Sequence, residues 1–128
     1  MDVLLVSPDP ASRELMALAV RSIERRLGTA LAFRAAKNGD LGLTAALRDR
    51  PDVVVADEIA SRAGAFALAK SLRDDRHPYT GIIIILLERK HDAWLAEWSG
   101  ADAWFVRPVD PFELADRLLE LVMQKENA

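Results

Sequence analysis

The chain contains no cysteine. Disulfides, thiolate metal sites and cysteine nucleophiles are therefore excluded together. It also lacks any long hydrophobic run. The longest strongly apolar stretch is Ile82–Leu87, far short of the ~20 residues that a membrane-spanning helix needs. The first residues, Met1-Asp2-Val3, carry no basic cluster and lead into no extended apolar segment, so no signal peptide is expected and a cytoplasmic location is. There is no excess of positive charge. With 17 basic and 20 acidic residues the net charge is −3, which argues against direct nucleic-acid binding through a bulk field. No membrane partner is expected either. Glycine is missing from the segment Ser7-Pro8-Asp9-Pro10, so neither a phosphate-cradling loop nor a dinucleotide fingerprint can be built there. Ser7 lacks the Gly-x-Ser-x-Gly elbow of a hydrolase nucleophile. The two histidines, His77 and His91, have no neighbours at metal-ligand spacing. No enzyme is expected from these residues.

What is present is globular composition, 51% hydrophobic and 29% charged over 128 residues, enough for one domain with a real core. That domain is expected over residues 1–123, with 124–128 as a frayed tail. The chain alternates between two periods. Asp2–Val6, Leu31–Ala35, Asp52–Asp57, Gly81–Leu87 and Ala103–Val106 read as strands. The isoleucine run of the fourth suits a strand covered on both faces. Between them lie helical patterns. Asp9-Pro10 starts the first, with an aspartate to accept from free N–H groups and a proline where no donor is needed. Leu15, Leu18, Ala19 and Ile23 continue it to Gly28. Leu43, Ala46 and Leu47 mark the second helix, Phe66 to Arg73 the third, and His91–Ser99 the fourth. Asp110-Pro111-Phe112-Glu113 is a capping box opening the fifth. Asp74–Thr80 reads as a polar loop, and Arg73-Asp74-Asp75-Arg76 as a solvated run.

Parallel strands need crossover helices, and those crossovers are right-handed. The expected fold is α/β, a three-layer sandwich around a five-stranded parallel sheet of flavodoxin-like order. Its chemistry should sit beyond the carboxyl ends of the strands. Ser7, Pro8, Asp9, Asp57, Leu86, Arg107 and Pro108 all fall there.

Three segments now resemble one family, the receiver domains of two-component response regulators. Pro51–Asp57 resembles the strand carrying the phosphoacceptor aspartate. Gly100-Ala101-Asp102-Ala103-Trp104-Phe105-Val106-Arg107-Pro108 resembles the segment with the switch aromatic, lysine and proline. Asn38-Gly39 fits the start of the second helix. The likeness covers nearly the whole chain and implies the receiver (βα)5 fold with Asp57 at the phosphoacceptor position.

Several residues depart from the family pattern. A phosphoryl group moving onto a carboxylate needs a divalent cation to absorb the charge. The acid pair that would hold this cation maps to Ser7 and Pro8, and neither supplies a carboxylate. Asp9 is one position late and is expected to cap the first helix. Glu58 points away from Asp57 on an extended strand. The hydroxyl residue of the fourth strand maps to Leu86, which donates nothing. The lysine is Arg107, a planar fork that can pair directly with Asp57, and Pro108 is expected to keep a cis peptide. The loop Ile59–Ala65 holds one glycine, Gly64, and is expected to misplace a metal-binding carbonyl.

These departures imply a pseudo-receiver with no resident cofactor and no metal. It would act through a protein partner, or as a homodimer, on the face built by the fourth helix, fifth strand and fifth helix. Trp94, Trp98 and Trp104 are the expected anchors. Two alternatives stay open. One is a working receiver holding Mg2+ and phosphorylated on Asp57 by a histidine kinase. The other is a sensor of small anionic ligands, with Arg107 holding the anion in the strand-end cleft.

Overall fold

The computed structural model describes residues 1–58 and 64–127. Five strands, β1 (Asp2–Val6), β2 (Ala32–Ala36), β3 (Val53–Asp57), β4 (Ile82–Leu87) and β5 (Ala103–Val106), form one parallel sheet in the order β2-β1-β3-β4-β5. The order reverses at β1, which pairs with β2 on one side and β3 on the other. This is the flavodoxin-like arrangement expected from the sequence, and it opens a crevice above the ends of β1 and β3.

Alternation along the buried strands divides the core in two. Val3, Leu5, Val53, Val55, Ile82, Ile84 and Leu86 face one layer, where helices α1 (Pro10–Arg21) and α6 (Pro111–Glu126) pack. Leu4, Val6, Val54, Ala56, Ile83, Ile85 and Leu87 face the other, covered by α3 (Gly39–Asp49), α4 (Ala65–Asp74) and α5 (Ala93–Trp98).

The helix starts follow their caps. Asp9 accepts from the Ala11 N–H with Pro10 in the first turn, Asn38 accepts from Leu41, and Asp110 accepts from Phe112. The middle of the first helical pattern differs from expectation. Ser22 Oγ donates to the Ala19 carbonyl at 2.6 Å, a local bond that competes with the helix ladder. The helix stops at Arg21, and a separate turn, α2 (Glu24–Leu27), runs on to Gly28. Its buried stripe is also displaced. Met16, Ala19, Val20 and Ile23 are buried, whereas Leu18 is exposed.

Two further expectations are corrected. The fourth helical pattern yields a 3₁₀ turn, Lys90–Asp92, followed by only six residues of α5. Helix α6 runs on through Gln124 to Glu126, and Lys125 donates to the Thr80 carbonyl. Tyr79 is buried and Arg73 is half-buried, both tied to carbonyl groups rather than left in solvent. Tyr79 donates to the Pro51 carbonyl at 2.5 Å. Arg73 gives Nε to Gly100 O, Nη1 to the carbonyls of Tyr79 and Gly81, and Nη2 to Asp102 Oδ2, all within 2.9 Å. It ties α4 to the entries of β4 and β5. Gly100 has φ +90°, and a Cβ there would lie 2.6 Å from Arg73 Cγ, so glycine is required.

Candidate functional site

Asp57 ends β3 on the same face as Val53 and Val55, so its carboxylate points toward α1, and its side chain is fully buried. Ser7 follows β1 in the same alternation and donates Oγ to Asp57 Oδ2 at 3.1 Å. Ser12, in the first turn of α1, donates to the same oxygen at 2.5 Å. Arg107 comes from beyond β5, where its N–H continues the ladder to Leu87 O. Its Nε donates to Asp57 Oδ1 at 3.2 Å, and its Nη2 donates to Asp57 Oδ2 and to Ser12 Oγ. The Arg107–Pro108 peptide is cis. The carboxylate thus meets a guanidinium fork and two hydroxyl donors, a fully satisfied group.

The other cleft residues divide clearly. Pro8 is exposed and offers no ligand atom. Asp9 is committed to capping α1, and its own N–H donates to Ser7 Oγ at 3.1 Å. Leu86 is fully buried and lies directly opposite Asp57 in the β3–β4 register, with no group that can donate to its carboxylate. Glu88 lies at the mouth, 3.9 Å from Arg107 Nε. The segment 59–63, and with it the expectation about the metal-binding carbonyl, lies outside the described residues.

Sequence reasoning missed Ser12 and Arg13. Ser12 heads the buried series 12, 16, 19, 20, 23 of the first helical region. A polar residue at the head of a buried stripe was the available signal. Arg13 Nη1 takes the Ser7 carbonyl at 2.6 Å.

A divalent cation does not fit these residues. Asp57 is the only carboxylate aimed into the crevice among those just placed. Both of its oxygens are engaged, and the charge beside it is already a guanidinium. Among the described residues no group of three or more His, Cys, Asp or Glu is arranged to hold a metal.

Glu58 points to the opposite face and accepts from the Phe66 N–H at 3.1 Å, serving α4 as a cap in place of a side chain at Gly64. The two fit closely, since a Cβ on Gly64 would lie 2.3 Å from Glu58 Oε1. Burial pushes the Glu58 carboxyl above its ordinary value and the charge of Asp92 adds to this, against the N–H groups of Phe66 and Ala65. The folded chain therefore binds this proton more tightly than the unfolded one. The stability linked to Glu58 is full below its ordinary value of 4.5 and falls as pH rises through the raised folded value. Glu58→Gln keeps an acceptor for Phe66 and removes that loss. Its urea midpoint, relative to the parent, should rise from pH 4.5 to pH 7. A relative midpoint that falls over this range would contradict the assignment.

Trp94 and Trp98 are 64% and 56% exposed, far from core caps. Lys70 Nζ of α4 sits 5.0 Å from the Trp98 ring centroid. Trp104 is half-buried against the second core cluster.

Fold and crevice together are those of a five-stranded α/β domain of receiver-like fold. Over 71 residues the chain is 37% identical to an uncharacterised response regulatory protein of Mycobacterium tuberculosis, a stretch covering 56% of this chain and 53% of that protein. It is 27% identical over 128 residues to the DNA-binding response regulator MtrA of Mycolicibacterium smegmatis, covering 98% of this chain and 52% of that one. The chain thus spans about half the length of the curated relatives it matches. Among solved structures, a putative response regulator from Chloroflexus aurantiacus superposes with a TM-score of 0.81 at 22% identity, over 95% of this chain and 97% of that one. The receiver domain of a signal transduction histidine kinase from Syntrophus aciditrophicus gives 0.79 at 20% identity, over 96% and 90%. No protein-family model matches the chain.

Proposed function

We propose that this chain is a pseudo-receiver, a cytoplasmic two-component signalling domain whose phosphoacceptor position is closed. It works as a protein-binding module rather than an enzyme and needs no resident metal or cofactor. The observation that carries this reading is the engagement of both Asp57 oxygens by Arg107, with Ser7 and Ser12 completing the shell. A phosphoryl donor approaching Asp57 meets a carboxylate already neutralised and hydrogen-bonded, with no paired acids to seat the cation that the transfer requires. Its signal passes by contact through the face of α5, β5 and α6, where Trp94, Trp98 and Trp104 supply aromatic surface.

The test is intact-mass measurement after incubation with acetyl phosphate and magnesium. The parent chain should stay at its unmodified mass. The variant Ser7→Asp/Pro8→Asp/Arg107→Lys, which rebuilds an acid pair and a compact ammonium, should bind magnesium more tightly than the parent. A parent chain that gains the mass of one phosphoryl group, retained at Asp57 on peptide mapping, would show a working phosphorelay switch instead.

A further inference from the structure

At the amino ends of the strands, opposite the Asp57 crevice, the fold leaves a cavity of about 490 Å3, within the size range of small-molecule sites. It opens between the starts of β1, β3 and β4, the turn after α2 and the last turns of α6. One wall is apolar. Met1, Leu27, Ile82 and Val122 form it, and all four belong to the core layer under α1 and α6. The floor is pinned before anything binds. The buried Tyr79 phenol donates to the Pro51 carbonyl. Gly81 lies so close that a Cβ there would strike this phenol and stand 2.9 Å from the Asp52 carbonyl. A preset cavity spares a ligand the cost of ordering it.

The mouth is polar, and its unused capacity is for donation. Arg50 and Lys125 line it together with Asp52 and Glu126. Lys125 donates to the Thr80 carbonyl and keeps its other N–H groups open. Arg50 donates Nη1 to the His77 carbonyl at 2.8 Å, while its Nη2 stands 3.7 Å from Asp75 Oδ2, beyond hydrogen-bond reach. Most of its guanidinium fork is thus open among the described residues. Asp52 is committed instead, since its Oδ2 accepts the Asp2 N–H at 2.7 Å. With the Met1 amino group, which donates to the Ala30 carbonyl, the lining holds three cationic groups and two carboxylates. Arg50 is also the one non-glycine residue with positive φ, +47°, among the described residues. A side chain there costs backbone energy that glycine would avoid, yet it sets a guanidinium at this mouth.

We propose that this cavity binds a small apolar carboxylic acid, with its carboxylate held by Arg50 and Lys125 and its hydrocarbon body laid on Leu27, Ile82 and Val122. A neutral apolar molecule would leave the open donors idle. A small inorganic anion would leave the apolar wall wet. An apolar cation would add charge of the sign already in excess. The site lies at the other end of the sheet from Asp57, so it goes beyond the contact-module reading and does not depend on it.

Amide NMR of the isotopically labelled chain titrated with sodium octanoate tests the proposal, with sodium acetate as the headgroup control. Octanoate should give saturable shifts at Arg50, Gly81, Ile82 and Lys125, and acetate only the linear drift of added salt. Lys125→Ala, at an exposed position, should raise the octanoate dissociation constant about 10-fold, the loss of one charge-assisted hydrogen bond. Arg50→Gly removes the guanidinium at a backbone angle that glycine adopts freely, and should raise it by a similar factor. Both variants should keep the parent's circular dichroism. Equal responses to acetate and octanoate would overturn the proposal, as would shifts that do not saturate at millimolar octanoate, or an affinity unchanged in both variants. The mass test on Asp57 reads the closed cleft separately.

Discussion

Arg107→Ala is expected to destabilise the domain by about 3 kcal/mol, the low end for stripping the partner from a buried charge. The Asp57 side chain is fully buried, and Arg107 brings the only formal positive charge within hydrogen-bond distance of it among the described residues. Ser7 and Ser12 would remain as donors, and these hold the loss below the upper end of the range. For a domain of this size the unfolding midpoint should fall by roughly 10 °C. The reverse truncation should be milder. Asp57→Asn leaves an arginine whose side chain is 29% exposed, free to turn toward Glu88 and water, so the expected cost is about 1 kcal/mol. The double variant should be more stable than Arg107→Ala alone. That sign is the useful part of the cycle. Additive losses would mean that the two side chains do not depend on each other.

The second large effect belongs to Arg73. One guanidinium satisfies three carbonyls and one carboxylate, drawn from the α4–β4 connection and the turn before β5. Its stem also packs under Gly100. Arg73→Ala should cost about 3 kcal/mol, because hydrogen bonds to a charged donor are worth more than neutral ones and the carbonyls it serves are partly buried. Arg73→Lys should recover little, since a single ammonium cannot span partners arranged for a planar fork. Chemical denaturation of both variants measures this. A lysine variant as stable as the parent would show that charge alone, and not the fork, holds the connection.

Arg73 also shows where the sequence stops being legible. Strands and helix caps declare themselves locally. The isoleucine run of β4, Asp9-Pro10 and Asp110-Pro111 each carry their own signal, and right-handed crossovers narrow the sheet orders once the elements are placed. The positions of Asp57, Leu86 and Arg107 at the strand ends came the same way. A long polar side chain is different. Whether Arg73 lies in water or threads between two strand entries depends on tertiary partners 6 to 29 positions away, and the run Arg73-Asp74-Asp75-Arg76 looks solvated from its charges alone. Leu18 fails in the opposite sense. Its hydrophobicity promised burial, yet the stripe that packs on the sheet passes through Met16 and Val20. Ser12 was hidden because a single hydroxyl in a helix carries little signal until the stripe it heads is fixed. The break in the first helix falls at Ser22, whose Oγ bonds the Ala19 carbonyl, a local competition that propensity does not resolve.

The closed cleft is tested most directly by amide NMR of the isotopically labelled chain titrated with magnesium and beryllofluoride, a mimic of the phosphoryl group. A carboxylate held by Arg107, Ser7 and Ser12 predicts no shifts beyond those of added salt at Ser7, Asp57 and Arg107. Saturable shifts at those three residues would contradict it and show that the guanidinium gives way to the metal.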